Sequence, residues 1–79
     1  MGRRHRPLTC EEVKRILRRL GFVPRPHRGT SHEQWVRDEG GSRRKVTIDC
    51  PTQPFGQELI SSMARQAGVT KRDFYAALD

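Results

Sequence analysis

The strongest constraint on the fold is a helix near the start of the chain, which the sequence delimits at both ends. Thr9 and Glu12 form a capping box, in which each side chain accepts a hydrogen bond from the other residue's backbone amide. Gly21 predicts where the helix ends. Between them, apolar residues recur at the i, i+3, i+4, i+7 spacing of a helix buried on one face: Val13, Ile16, Leu17 and Leu20. The apolar face of such a helix must be buried against other elements of the fold.

After Gly21 the helical period is replaced by short alternating segments. They predict strands over residues 22–23, 32–37 and 44–49, the last two joined by a glycine-containing hairpin loop over 38–42. Helical patterns return over residues 57–67 and, briefly, 71–78. We therefore predict an α+β fold of order α-β-β-β-α, with a three-stranded antiparallel sheet, helices on one face and a short extra helix at the C-terminus.

Length and composition restrict the organisation of the chain. Its 79 residues are enough for one domain, placed at 8–79, and the basic segment 1–7 is predicted to be a mobile arm. No apolar run approaches the roughly 18 residues of a membrane span, and no signal peptide is recognisable, so we expect a cytoplasmic protein. In that compartment Cys10 and Cys50 are expected to be reduced, and they lack the CxxC spacing of a zinc site. We expect neither metal nor cofactor.

Positive charge is concentrated in the first part of the chain. Residues 1–45 hold thirteen of the sixteen lysines and arginines but only five of the nine acidic residues, and arginine far outnumbers lysine. The planar guanidinium group matches pairs of phosphate oxygens, whereas lysine acts more as a point charge. This distribution favours a polyanionic partner, either nucleic acid or an acidic protein, over a basic surface that serves solubility alone.

One reaction is compatible with the few reactive side chains in this sequence. No glycine-rich phosphate loop, magnesium-binding carboxylate cluster or Ser/His/Asp set is recognisable. RNA, however, carries its own nucleophile, the 2′-hydroxyl, and needs only a general base and cationic groups around the phosphate. Histidine is suited to the base role, and His32 follows the small residues of a Gly-Thr-Ser turn at the start of a strand. His32 is therefore the candidate general base, although a histidine at the start of a strand is more often an ordinary residue with no catalytic role.

The predicted phosphate ligands are the basic residues nearest to His32 in sequence and those on the polar face of the first helix. Gly29 lets a phosphate approach the backbone closely. Trp35 could stack on a base, although a lone tryptophan is more often a packing residue. His5 and His27 are expected to be solvated. The predicted RNA-binding set is Arg28, Gly29, Arg37, Lys14, Arg15, Arg18 and Arg19.

Several segments, taken in order, resemble the HicA toxin family. They are the helix end "LRRLGF", a Gly-to-His element that leads into a strand with an aromatic residue three positions on, the strand "VTI", and "FGQELISSMARQAGVTKRDF". The resemblance covers about residues 8–75. It implies a double-stranded-RNA-binding-like fold, toxins that cleave mRNA with one essential histidine, here His32, and an antitoxin of the HicB type that masks it. Gly29 matches the family glycine.

Two departures from the family pattern affect the predicted site. The turn before His32 is one residue longer than Gly-Ser-His, and the loop at 51–54 lacks a histidine that many members have. The sequence thus predicts a metal-independent endoribonuclease, monomeric when free and in a larger complex with an acidic HicB-like antitoxin. Two alternatives stay open, a non-catalytic RNA-binding module of the same fold and an adaptor whose basic face binds only protein.

Overall fold

The computed structural model of the protein describes residues 5–26 and 29–79. The predicted order α-β-β-β-α and the short C-terminal helix are confirmed. Along the chain the elements are helix α1 (Cys10–Arg19), strands β1 (Val23–Pro24), β2 (His32–Glu39) and β3 (Ser42–Asp49), and helices α2 (Gln57–Ala67) and α3 (Lys71–Ala76). No helix in the described ranges is long and apolar enough to cross a membrane.

Helix α1 begins as its sequence predicts. The Thr9 hydroxyl accepts from the Glu12 amide at 3.2 Å, and a Glu12 carboxylate oxygen accepts from the Thr9 amide at 2.9 Å. A second ligand holds this terminus, because the Cys10 amide donates to the Gln53 side-chain oxygen at 2.8 Å. These bonds satisfy amides that the first turn of a helix otherwise leaves unpaired.

The strands form one antiparallel sheet in the order β1-β2-β3. Register pairs His32 with Asp49 and Glu39 with Ser42, so β2 and β3 are matched along eight residues. The hairpin is tighter than the predicted five-residue loop, since only Gly40 and Gly41 lie between the strands. Both glycines have positive φ, 53° and 91°, the backbone that a two-residue turn between twisted strands requires.

The two faces of the sheet differ because side chains alternate along each strand. Trp35, Val46 and Ile48 point into the core, where they are at most 1% exposed and join the buried side chains of all three helices. Trp35 is therefore a packing residue. His32, Gln34 and Thr47 lie on the opposite face. We call this second surface the open face; His32 is exposed there, and Gln34 is half-buried.

The two cysteines are paired, so the expectation of two reduced thiols is wrong for this structure. Cys10, the first residue of α1, is joined to Cys50, which follows β3, with 5.3 Å between their Cα atoms. The separation suits a disulfide. The two positions are separated by 40 in sequence, too far apart for the sequence to show that they meet. The bond ties the start of α1 to the end of β3.

The residues before α1 contact the C-terminal helix. The His5 ring stacks on the Tyr75 ring with centroids 4.5 Å apart, and the Tyr75 hydroxyl donates to the Arg6 carbonyl. Arg6 also forms an ion pair with Glu12 at 2.7 Å. Residues 1–4 lie outside the described ranges, and the division into an arm at 1–7 and a domain at 8–79 stays a prediction.

Candidate active site

His32 lies at the start of β2 on the open face, where the Gly-Thr-Ser turn positions it. Gly29 has φ of +62°, in the left-handed region that favours glycine, and leads the chain into the strand. The Thr30 hydroxyl oxygen accepts from the His32 backbone amide at 3.1 Å and lies 3.2 Å from the ring atom Nδ1. The imidazole is 58% exposed, which leaves it open to a polymer substrate.

Asp49 is the acidic group nearest to this imidazole. It is the register partner of His32 across the β2–β3 pair, and its Oδ2 lies 3.8 Å from His32 Nε2. Ser31 donates from Oγ to Asp49 Oδ1 at 2.8 Å and so fixes the carboxylate. The distance to Nε2 is longer than a hydrogen bond, so among the described residues Asp49 leaves the Nε2 atom without a hydrogen bond. The sequence alone assigns Asp49 no role, because the strand register that pairs it with His32 is not visible in sequence.

Arg25 is the arginine that the structure brings to His32. It follows β1, and its backbone amide donates to the Gln34 carbonyl at 2.8 Å, which extends the sheet by one residue. Arg25, Pro26, Thr30, His32 and Gln34 line a cavity of 360 Å³. Within residues 5–26 and 29–79 the exposed Arg25 guanidinium has no hydrogen bond or ion pair. A cation without a partner beside an exposed imidazole is suited to an anionic ligand.

A second cavity adjoins His32 on the side of α2. Its volume is 310 Å³, and His32 and Asp49 form one wall. Phe55, Leu59 and Met63 supply apolar surface, and the remaining lining side chains are polar but uncharged: Thr47, Thr52, Ser62 and Gln66. His32 thus lies between a cavity lined by Arg25 and a cavity that no lysine or arginine of the described residues lines.

Of the predicted phosphate ligands that are close to His32 in sequence, the structure brings only some close to it in space. Gly29 lies in the turn before His32, and a Cβ added to it would meet nothing within 4 Å. Arg28, like His27, lies outside the described residues. Arg37 is not brought to His32, because five positions along a strand place it on the core-facing side. Its guanidinium lies over the Phe22 ring at 4.8 Å and donates to the Leu20 carbonyl at 2.7 Å.

The four predicted ligands on α1 divide into three with internal contacts and one without. Lys14 pairs with Glu33 at 3.2 Å. Arg18 lies 5.2 Å from the centre of the Trp35 ring, and Arg19 donates to the Leu78 carbonyl at 2.6 Å. Arg15 is exposed, and its side chain makes no hydrogen bond or ion pair within the described part of the chain.

One group of side chains has the composition of a metal site. The ligand atoms of Cys10, Glu33 and Cys50 lie within 4.8 Å of one another, the only such group with three or more histidines, cysteines or carboxylates in residues 5–26 and 29–79. Zinc is bound by thiolates, and the disulfide removes both of them. Cys50 Sγ is 3.6 Å from Glu33 Oε2, a contact that becomes a hydrogen bond only when the sulfur carries a proton. The group therefore has thiolate ligands only in the reduced protein.

Comparison with protein families gives a match over most of the chain. The family model described as "HicA toxin of bacterial toxin-antitoxin" matches residues 10–69. That range contains α1, the whole sheet and α2, together with His32, Asp49 and Arg25. No curated protein and no solved structure matches the chain.

Proposed function

The chain belongs to the HicA toxin family of bacterial toxin–antitoxin systems, and we propose that it is an endoribonuclease that cleaves mRNA without a metal, with His32 as general base. The observation that carries this proposal is the placement of an exposed imidazole between an ordered carboxylate and an arginine that has no partner among the described residues. A 2′-hydroxyl nucleophile, a base and a cation are the parts that RNA cleavage requires.

In this mechanism the two nitrogens of His32 have separate roles. Nδ1 lies 3.2 Å from Thr30 Oγ1, and the proposed mechanism uses the tautomer in which Nδ1–H donates to this hydroxyl oxygen and Nε2 carries the lone pair. Nε2 takes the proton of the 2′-hydroxyl as that oxygen attacks the adjacent phosphorus. The new Nε2–H and its positive charge form beside Asp49, 3.8 Å away, which stabilises the imidazolium. The imidazolium then returns a proton to the departing 5′-oxygen.

Arg25 is the phosphate ligand of this proposal. Negative charge on the nonbridging oxygens increases as the 2′-oxygen bonds to phosphorus, and a guanidinium in the adjacent cavity stabilises that charge. The products are a 2′,3′-cyclic phosphate and a 5′-hydroxyl end. DNA has no 2′-hydroxyl and is not cleaved by this route.

The antitoxin of this toxin is proposed to be an acidic, HicB-like protein that covers the open face. The chain carries a net charge of +7, which attracts both an acidic protein and RNA, and Arg25 offers both of them a cation beside His32. An antitoxin carboxylate beside Arg25 would displace the RNA phosphate. One protein could then block the reaction without altering His32.

The first test is cleavage of end-labelled mRNA by the wild type, His32→Ala and Asp49→Asn, with EDTA present and the fragment ends identified. We expect wild-type cleavage that leaves 2′,3′-cyclic phosphates, and a loss of about 10²–10⁴-fold for His32→Ala, the range for removing a general base. Asp49→Asn keeps the shape of the side chain and removes its charge, so we expect a smaller loss, of about tenfold.

His5→Ala is the matched control, because His5 stacks on Tyr75 and lies outside the site. RNA that stays intact but binds equally to the wild type and His32→Ala would replace the proposal with the non-catalytic RNA-binding module. Wild-type cleavage abolished by EDTA would contradict the metal-independent mechanism.

A further inference from the structure

We propose that the cavity between His32 and α2 is a nucleobase subsite, which holds the base on one side of the cleaved phosphodiester. The inference rests on the proposed ribonuclease function and adds a ligand to its site. Its starting point is that His32 borders two cavities of similar size, 360 and 310 Å³, whose linings differ in charge. The cavity with Arg25 suits the phosphate, which leaves the second cavity for a neutral part of the nucleotide.

The lining of the second cavity fits a flat, uncharged heteroaromatic group. Phe55 and Met63 belong to the core and form the floor of the cavity, and Leu59 supplies most of its exposed apolar surface, since this large side chain is 46% exposed. Burying that surface against the face of a base is favourable and does not depend on a hydrogen-bond pattern. The volume is at the lower end of the range for small-molecule pockets, enough for one base and too little for a folded RNA element.

Polar groups of α2 are placed to bind the edge of that base. Leu59, Ser62 and Gln66 follow each other at helical spacing and line one side of the cavity. The Gln66 Oε1 atom already accepts from the Thr47 amide at 3.1 Å, which orients the side-chain amide and leaves its NH₂ group as a donor. The Ser62 hydroxyl has no partner within the described residues and can donate or accept.

The charges of the lining favour a base over a segment of an acidic protein. No lysine or arginine lines this cavity among the described residues, and its one carboxylate is Asp49. A carboxylate of an acidic partner would be repelled by Asp49 and would meet no cation except a protonated His32. An uncharged base meets neither difficulty. Because His32 lines both cavities, a base seated here belongs to a nucleotide next to the phosphate at His32.

The test uses sixteen DNA oligomers, each with a single ribonucleotide, so that each has one cleavable linkage. The base of the ribonucleotide and the base that follows it are varied through all combinations, and cleavage rates are measured for the wild type, Leu59→Ala and Ser62→Ala. We expect the wild type to prefer certain bases at one of the two positions. Leu59→Ala should reduce that preference by roughly tenfold, as expected for lost apolar contact in a pocket, and Ser62→Ala should change which base is preferred.

Val23→Ala is the matched control, because Val23 is also an exposed apolar residue, 59% exposed, and does not line the cavity. It should leave the sixteen relative rates unchanged. If Leu59→Ala and Ser62→Ala lower the cleavage rates of all sixteen oligomers by the same factor, or do not change them, the subsite is overturned. The cavity would then be a contact surface for a protein partner.

A binding measurement separates this inference from the ribonuclease proposal. If the wild type cleaves none of the oligomers, the four nucleoside 3′-monophosphates are titrated while the side-chain NH₂ signal of Gln66 is followed by NMR. A shift of that signal for some bases, and its loss in Leu59→Ala but not in Val23→Ala, would support the subsite in the absence of catalysis. No shift with any of the four would overturn it.

Discussion

Helix α1 and the open face of the sheet both carry basic side chains. Most of those on α1 contact other residues of the protein, whereas Arg25, on the open face, lines a cavity. On the α1 side, Lys14 pairs with Glu33, Arg18 lies over Trp35, and Arg19 binds carbonyl oxygens of the C-terminal segment. On the open face, Arg25 lines the cavity beside His32 and has no partner among the described residues. The difference shows that the number of arginines in a sequence does not give the number available to RNA.

The comparison predicts that changes near α1 alter stability and that changes on the open face alter activity. The largest stability effect is expected from the Cys10–Cys50 disulfide. It closes a loop of forty residues, and removing such a crosslink lowers the free energy of unfolding by roughly 4 kcal/mol in the chain-entropy treatment. Urea unfolding of the wild type with and without a dithiol reductant measures it. RNA cleavage by protein that is still folded should not change.

The Cys10→Ala/Cys50→Ala double variant is the control for the disulfide, since reductant should not alter its unfolding curve. Cys50 directly follows Asp49, so reduction could also disturb the site. An RNA cleavage rate that falls on reduction while the protein stays folded would contradict the expectation that changes near α1 alter stability and not activity. The α1 side and the catalytic site would then be coupled through the end of β3.

The largest activity effect outside His32 is expected at Arg25. Arg25→Ala should lower the rate of RNA cleavage by about 10²-fold, the lower range for removing a group that stabilises transition-state charge. Arg15→Ala is the matched comparison, because Arg15 is also exposed and without a partner in the described residues but lies on α1. Its effect should be limited to weaker RNA binding that disappears at high salt. Equal losses for the two variants would remove the distinction between the two regions.

The smallest effect is expected at Glu12. The hydrogen bond from Arg6, with a further one from the Thr9 backbone, lowers the pKa of Glu12 from 4.5 to about 2. A carboxylate whose pKa is lowered on folding adds stability above its unfolded pKa, and this stability is lost as the pH falls toward the folded value. Glu12→Gln should therefore cost about 1 kcal/mol of unfolding free energy at neutral pH, and the difference should shrink between pH 4.5 and 2.

Glu11→Gln is the control for Glu12, because Glu11 is also in the first turn of α1 but is 84% exposed and 4.0 Å from its nearest cation, Lys14. Its unfolding free energy should change little over the same pH range. Thermal unfolding followed by circular dichroism compares the two variants with the wild type. If Glu12→Gln and Glu11→Gln have the same free energy of unfolding, the Arg6–Glu12 pair contributes nothing measurable to stability.

Local features of the fold were predictable because they depend on neighbouring residues. The capping box of Thr9 and Glu12, the bounds of α2 and the order of the elements follow from short-range spacing. The hairpin was predicted in the right place but too long, because strand pairing extends to the two glycines once both strands are aligned. The resemblance to a toxin family also depends on short segments, and the match over residues 10–69 agrees with it.

The surroundings of His32 were predicted less completely. Arg28 and Arg37 flank His32 in sequence, and this proximity is the reason that the sequence favours them as phosphate ligands. Arg28 lies outside the described residues, and strand alternation places Arg37 over Phe22 on the other side of the sheet. Asp49 and Arg25 reach His32 through β-sheet pairing, a contact between residues far apart in the chain. Their roles in catalysis are the proposals that the cleavage experiments test.

The sequence by itself determined which segments are helices and strands, and it singled out His32 by its turn and by its family resemblance. Those properties depend on spacings of a few residues, which a chain carries before it folds. Only the tertiary structure decided that Cys10 meets Cys50 and that Asp49 and Arg25 lie beside His32. It also decided that most of the lysine and arginine side chains of α1 contact other residues of the protein. The physical reason is that packing and strand register bring together residues distant in sequence, and these contacts fix which charged groups remain free for a ligand.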